Sequence, residues 1–338
     1  MQNHGVSKSG PVAGDDADAD REVSTHNHDK LKGWTQGLRR ANAAATHGLS
    51  LKQMKQKQSW APLAAFQAGS NPAVEAALEG EGFRALQAES VLEYDAGVFR
   101  LEQAVLEMIS AAEPRARETG LRGLHEAFDP QWQRSKSFKP HRKKMNGPLY
   151  NSEHGASLRR EFAKFICKFI APHVREHTRC TRIYFQSTPS LRIQPPSNFR
   201  IGYPHTDSMY FHQRGQINFW VPLTKVFSTN TLWLESAPGL QDYHPLELDI
   251  GQCARFYGNQ CTHFTLANDT QDTRVSLDLR VVPDICFDPD PPDSRGRDGR
   301  PIFFVGGYYA AADFDEERGS WHVAESTVTL DSRSFNDD

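Results

Sequence analysis

Four positions in the second half of the chain carry side chains whose types and spacing could do chemistry together: His205, Asp207, His263 and Arg274. His205 and Asp207 stand two apart in Tyr203-Pro-His-Thr-Asp-Ser-Met-Tyr210. On an extended strand residues two apart point to the same face, which sets an imidazole beside a carboxylate. A second imidazole, His263, follows 56 residues later (263 − 207) in the apolar-flanked run Gln260-Cys-Thr-His-Phe-Thr-Leu266. Two histidines and one carboxylate are the donor set that holds non-haem Fe(II) by one face and leaves three cis positions open. Arg274, eleven residues past His263 (274 − 263), opens the strand-like run Thr273-Arg-Val-Ser-Leu-Asp-Leu-Arg-Val-Val282. Its planar guanidinium can grip a further carboxylate through two parallel hydrogen bonds, and Ser276 shares its face. An iron site whose co-substrate is a dicarboxylic 2-oxoacid needs such a group.

Each element alone says little. A His-x-Asp pair is more often a surface turn, a lone histidine on a half-apolar strand is more often a satisfied core group, and Arg-x-Ser is common. Order, parity and strand context taken together favour the metal. The same parity extends the inventory. Arg274, Ser276, Asp278 and Arg280 share one face of their run, with Val275, Leu277 and Leu279 on the other. Arg192 and Gln194 share a face of Ser190-Leu-Arg-Ile-Gln194, and Asn218 and Trp220 alternate with Ile217, Phe219 and Val221. Gln194 is thereby a candidate for the co-substrate. Arg192, Asn218 and Arg280 are candidates for a small polar substrate, anionic if Arg192 or Arg280 meets it. The competing reading of these groups is a structural network, such as Asp278 paired with an arginine; His212 is a candidate to support the site from behind, with a surface position the better reading.

These residues need a scaffold of short strands, and the chain supplies the pattern. Strand-like runs at 190–194, 203–212, 216–221, 231–236, 244–248 and 253–257 precede those bearing His263 and Arg274, with turn residues such as Ala237-Pro-Gly239 and Gly258-Asn259 between them. Eight short strands imply an antiparallel jelly roll, two sheets closing over a pocket. Before them the signals are helical. Asn71-Pro72 reads as an N-cap followed by proline at the first helical position. Tyr94 to Glu113 and Ser157 to His177 carry apolar residues at helical spacing, as packing faces against a sheet. The fold class expected is α+β, a double-stranded β-helix (jelly roll, cupin-like) core with covering helices from the N-terminal half. The expected divisions are a disordered tail at 1–30, a helical support region at 31–180, the core at 181–310 and a partly mobile C-terminal extension at 311–338.

A formal net charge of −3 recommends neither nucleic acid nor an anionic membrane as partner. The run Arg134-Ser-Lys-Ser-Phe-Lys-Pro-His-Arg-Lys-Lys144 carries six basic residues, but its single aromatic makes a solvated loop the better reading than a nucleic-acid patch. No apolar run reaches the length of a membrane span. The five cysteines show no Cys-x-x-Cys spacing, which argues for reduced thiols and a cytoplasmic address. Oligomeric state has no signature in the chain.

The stretch from Pro189 to Pro283 resembles the phytanoyl-CoA-dioxygenase-like branch of the Fe(II)/2-oxoglutarate-dependent oxygenases, and within it the streptomycin-biosynthesis StrG-like proteins. The residues that carry the resemblance are Pro204-His-Thr-Asp-Ser-Met-Tyr210, Ile217-Asn-Phe-Trp-Val-Pro-Leu-Thr224, Leu232-Trp-Leu-Glu-Ser236 with Pro238-Gly239, Arg255-Phe256, Gly258-Asn259 and Thr273-Arg-Val-Ser-Leu-Asp-Leu-Arg280. The resemblance implies a double-stranded β-helix, iron on His205, Asp207 and His263, and the distal carboxylate of 2-oxoglutarate on Arg274 and Ser276. It also implies use of O2, with ascorbate as an accessory reductant, and a hydroxylase oxidising a small polar metabolite. Two rivals stand beside it: a protein or nucleic-acid oxygenase using the basic run 134–144, and a non-catalytic ligand-binding jelly roll.

Overall fold

The centre of the molecule is one long strand, Arg274–Pro283, all but one of whose residues are buried. The computed structural model describes residues 71–128, 147–197, 202–291, 294–295 and 301–325. The expected tail at 1–30, the basic run 134–144 and the end of the chain past 325 lie outside the described residues. Eleven strands are described: β1 (Ser90–Glu93), β2 (Arg182–Gln186), β3 (Ser190–Gln194), β4 (Ile217–Pro222), β5 (Leu232–Leu234), β6 (His244–Pro245), β7 (Gln252–Phe256), β8 (His263–Thr265), β9 (Arg274–Pro283), β10 (Tyr309–Asp315) and β11 (Ser320–Val323). The larger sheet runs β1-β7-β4-β9-β2-β10-β11, and β3 pairs with the first half of β9. The smaller sheet runs β6-β5-β8. All strand pairs are antiparallel. Two antiparallel sheets closing over an interior make the double-stranded β-helix, so the α+β class with covering helices holds.

Strand alternation decides what each face carries. In β4 and β9 the register sets Asn218 opposite Arg280 and Trp220 opposite Asp278. In β3 and β9 it sets Arg192 opposite Ser276 and Gln194 opposite Arg274. Directly opposed residues share a face, so all these polar groups look into the barrel. Their neighbours Phe219, Leu277, Leu279 and Val281 are buried on the other side, which the helices cover.

Four helices supply that cover, among shorter turns. α1 (Pro72–Leu78) starts at Asn71, whose side chain accepts from Ala73 N, and its Glu75 takes both carboxylate oxygens to Arg214 at 2.9 and 2.7 Å. α2 (Glu81–Gln87) follows, then α3 (Leu101–Ala112), which turns Val105, Met108 and Ile109 into the core. The last, α4, runs from Ala156 to Thr178 through a π-helical turn at Ile166–Ile170. Pro172 explains the turn: it has no N–H to give and its ring crowds the carbonyl one turn back, which a widened turn relieves. The turn keeps Phe165 stacked on Phe169 at 4.9 Å, against Tyr94 and Phe99.

The differences from the sequence expectation are local. The strand expected at 203–212 is absent: His205 makes a single bridge to His263, and Asp207 begins a one-turn 3-10 helix, Asp207–Tyr210. β1, inside the helical half, pairs with β7 at the edge of the larger sheet. The core boundary expected at 310 falls within β10, which pairs with both β2 and β11. No described helix is long and apolar enough to cross a membrane. All five cysteines are free thiols.

Candidate metal centre

Backbone geometry brings the two halves of the proposed triad together. His205 N donates to His263 O at 3.2 Å, and His263 N returns the bond to His205 O at 2.9 Å, so the loop residue adds to the edge of the smaller sheet. Thr206 between the ligands is extended, with φ −107° and ψ 153°, which preserves the same-face relation of His205 and Asp207 although no strand is present. Asp207 N then donates to Gly258 O at 2.8 Å, and Ser208 N to Asn259 O at 3.2 Å. The Gly258-Asn259 turn thus anchors the start of the 3-10 helix. Gly258 leaves room for the Asn218 amide: a Cβ there would lie 2.7 Å from it, so the amide would have to shift.

The ligating atoms converge. One donor atom from each of His205, Asp207 and His263 lies within 4.8 Å of the others, and His263 Nε2 stands 3.9 Å from Asp207 Oδ1. Both imidazoles are fixed through their other nitrogen: His205 Nδ1 bonds Tyr203 O at 2.6 Å and His263 Nδ1 bonds Cys261 O at 3.0 Å. A carbonyl only accepts, so Nδ1 carries the proton in each ring and Nε2 keeps the lone pair a metal needs. Burial first, then the neighbouring His263, pushes the His205 pKa down to about 4, so the ring is neutral at neutral pH. Asp207 is fully buried, which by itself would raise its pKa. The Arg280 guanidinium overrides that and holds the carboxyl well below the usual range. Two imidazoles and one carboxylate, with a ligating atom of each converging, fit Fe(II), and they are the facial triad used by non-haem iron oxygenases.

Arg274 and Ser276 lie on the inward face of β9, both buried. The Arg274 guanidinium carbon is 5.9 Å from the Trp220 ring centre, and Trp220 Nε1 donates to Ser276 Oγ at 3.1 Å. The serine hydroxyl therefore accepts from the indole and keeps its own proton to donate. Gln194, opposite Arg274 in register, gives its amide N–H to Leu266 O at 2.6 Å.

The candidates for substrate contact divide. Arg280 and Asn218, expected at the substrate, lie against Asp207 instead. Arg280 donates through Nε to Oδ2 and through Nη2 to Oδ1, each at 2.9 Å, and Asn218 Nδ2 donates to Oδ2 at 2.6 Å. The physical reason is the buried carboxylate, which must find a counter-charge and donors on the same inward face. Gln216, which the strand parity did not single out, also donates to Oδ2, at 3.1 Å. Arg192 pairs with Asp278 through Nε at 2.9 Å, with about a quarter to a third of each side chain exposed. It stands near enough to His205 to contribute to that ring's lowered pKa. His212, expected at the surface, stacks on Phe303 with ring centres 4.0 Å apart, and burial pushes its pKa down to about 3.

Comparison with known proteins adds a partial sequence match and a set of distant structural ones. The chain is 32% identical over 107 residues to the streptomycin biosynthesis protein StrG of Streptomyces griseus. That match covers 32% of this chain and 50% of the relative, so the chain spans about half the length of the curated relative it matches. No family model matches. Among solved structures, EctD from S. alaskensis with 2-oxoglutarate and 5-hydroxyectoine aligns over 72% of this chain and 85% of its own at 14% identity, with a TM-score of 0.41. A prolyl-4-hydroxylase of Pseudomonas putida aligns over 63% and 97% at 13% identity, with a TM-score of 0.34. The epimerase SnoN from nogalamycin biosynthesis aligns over 70% and 98% at 16%, also at 0.34.

Proposed function

We propose that this chain is an Fe(II)/2-oxoglutarate-dependent oxygenase that hydroxylates, or otherwise oxidises, a small polar metabolite as 2-oxoglutarate is converted to succinate and CO2. The observation that carries the reading is the convergence of His205 Nε2, His263 Nε2 and a charge-fixed Asp207 in the same barrel interior as the buried Arg274. His205, Asp207 and His263 would hold the metal. When bound, Fe(II) would supply the redox chemistry that couples reduction of O2 to decarboxylation of the 2-oxoacid and oxidation of the substrate. The protein's part is placement. Arg274 grips the distal carboxylate of 2-oxoglutarate by its two parallel N–H groups, and Ser276, its hydroxyl oriented by Trp220, adds a third donor. Seated in the barrel, these groups keep the co-substrate dry and its 2-oxoacid end turned toward the triad.

Arg192 and Asp278 mark where the substrate enters. They form a partly exposed ion pair on the inward face, set diagonally across the ladder: Arg192 stands opposite Ser276 and Asp278 opposite Ser190. Arg192 uses only Nε on Asp278, which leaves its outer N–H groups to meet an anionic or strongly polar substrate. The partial likeness to a streptomycin biosynthesis protein agrees with a hydrophilic small molecule.

The test is anaerobic. Addition of Fe(II) and then 2-oxoglutarate should give a visible charge-transfer band, and Asp207→Ala should abolish it. Admission of O2 should yield succinate even without substrate, at a low uncoupled rate. A native protein that gives neither band nor succinate is no oxygenase of this class.

A further inference from the structure

The donors around Asp207 are distributed unequally between its two oxygens. Oδ2 accepts three hydrogen bonds, from Arg280 Nε at 2.9 Å, Asn218 Nδ2 at 2.6 Å and Gln216 Nε2 at 3.1 Å. Oδ1 accepts one, from Arg280 Nη2 at 2.9 Å, and it is this oxygen that stands 3.9 Å from His263 Nε2. A carboxylate oxygen has about two lone-pair directions. Three donors leave Oδ2 no direction for a metal, whereas Oδ1 keeps one. Arg280 cannot swing away easily, because its remaining nitrogen Nη1 donates to Gln186 Oε1 at 3.3 Å and the side chain is buried.

Building on the iron reading above, we infer that Arg280 is a positioning residue that makes Asp207 a one-oxygen ligand. Its fork, backed by Asn218 and Gln216, occupies Oδ2 and fixes the carboxylate plane so that the remaining lone pair of Oδ1 faces the two histidines. A carboxylate free to turn could take two adjacent positions on a metal. One of those belongs to the two oxygens of the 2-oxoacid or to O2, since two imidazoles and one oxygen leave three positions open and all three are needed. Arg280 would therefore protect a vacancy. A plain counter-ion role is different in kind. Any buried cation would satisfy the charge of Asp207, but only a planar fork fixes its plane.

The experiment uses the full chain and two probes. Mn(II) affinity of the metal-free protein is measured by titration calorimetry, and the anaerobic Fe(II)/2-oxoglutarate charge-transfer spectrum is recorded. The proteins are native, Arg280→Lys, Arg280→Gln and Asn218→Leu, each checked for native secondary structure. Loss of such a supporting contact typically weakens metal binding about 10–100-fold. Arg280→Gln and Arg280→Lys are both expected to fall in that range and to shift the charge-transfer band, because lysine restores the charge without the fork. Native affinity and band in Arg280→Lys would reduce the residue to a counter-ion and overturn the inference, as would native affinity with a native band in Arg280→Gln; tighter Mn(II) binding with a shifted band would show the freed carboxylate taking a second position and support it. Should the Arg280 variants fail to fold, Asn218→Leu decides, since it removes one Oδ2 donor and no charge: a shifted band supports the inference and an unchanged band with unchanged affinity overturns it. A native protein that binds no Mn(II) would defeat the iron reading itself, a result distinct from any difference among the variants.

Discussion

Arg274→Ala is the sharpest test of how the barrel interior is divided. Arg274 is 2% exposed, the first residue of β9, and sits opposite Gln194 with its guanidinium against Trp220. Removing one partner of a buried charge pair costs about 3–5 kcal/mol. At 1.4 kcal/mol per tenfold this is about two to four decades in the dissociation constant of 2-oxoglutarate. Lysine at this position should recover only part, since it keeps the charge and loses the bidentate geometry. Metal affinity should stay within about threefold of native, because Arg274 stands six residues along β9 from Arg280, the residue that braces Asp207, and independent sites add to within about 0.3–0.5 kcal/mol. The assay is titration of the Mn(II)-loaded protein with 2-oxoglutarate, beside a direct Mn(II) titration. Arg192→Ala serves as comparison: it removes a partly exposed pair with Asp278, for which about 0–1 kcal/mol is usual, so 2-oxoglutarate binding should change by less than about tenfold. If Arg192→Ala abolishes 2-oxoglutarate binding while Arg274→Ala leaves it intact, the co-substrate lies the other way round in the barrel and the assignment of Arg274 and Ser276 is refuted.

Three further outcomes follow from contacts away from the co-substrate. Gly258→Ala should drive the Asn218 amide off Asp207, since a Cβ would lie 2.7 Å from it; Mn(II) binding should weaken by about tenfold or more, and native affinity would count against the packing argument. Asn71→Ala removes the side-chain cap of α1 and should cost about 1 kcal/mol, read as a Tm lower by about 2–4 °C. At the outer face of β7, Arg255 Nη1 bonds His173 Nε2 at 2.7 Å, which requires that nitrogen to be unprotonated. Burial, then Arg255 and His177, lowers the His173 pKa from 6.5 to about 4. Between those values the unfolded chain binds more protons than the folded one, so stability is fully present above about pH 6.5 and declines as pH falls toward about 4. The half-buried position reduces the full value of about 3 kcal/mol to roughly 1–2 kcal/mol. Tm measured against pH should fall less steeply through this window in His173→Gln, and parallel curves would show that His173 contributes nothing to acid sensitivity.

How much of this was legible in the sequence depends on what each feature rests on. The β3 bounds, the β9 run and the inward parity of Arg274, Ser276, Asp278 and Arg280 rest on alternation, a property of local sequence. The Asn71 cap rests on a two-residue signal and appeared as expected. β1 and β10 were not legible, because an edge strand of four residues in a helical region and a run of three alanines give no period to read. The His205–Asp207 pair was found for a reason that was partly mistaken. No strand runs from 203 to 212, yet one extended residue, Thr206, suffices to align the ligands.

The roles of the inward groups were harder to read than their direction. Parity places Arg274 and Arg280 on the same face of β9 and gives no ground for distinguishing them. Six residues at about 3.3 Å each separate them by about 20 Å of strand, so they serve different ends of the cavity. Which end holds the metal is fixed by the turn at Gly258-Asn259, which seats Asp207 beside Arg280 through the bond from Asp207 N to Gly258 O. That contact joins residues 51 positions apart (258 − 207), beyond the reach of any local pattern. Once Asp207 is placed there, its burial dictates the rest. An ionised carboxylate out of water needs a cation and hydrogen-bond donors. Arg280, Asn218 and Gln216 are the inward groups within reach of it, so they are drawn from substrate contact to ligand support. Arg192 is instead paired with Asp278 through Nε. Parity thus named most polar groups of the cavity but missed Gln216, and the position of one buried carboxylate gathered Arg280, Asn218 and Gln216 around it.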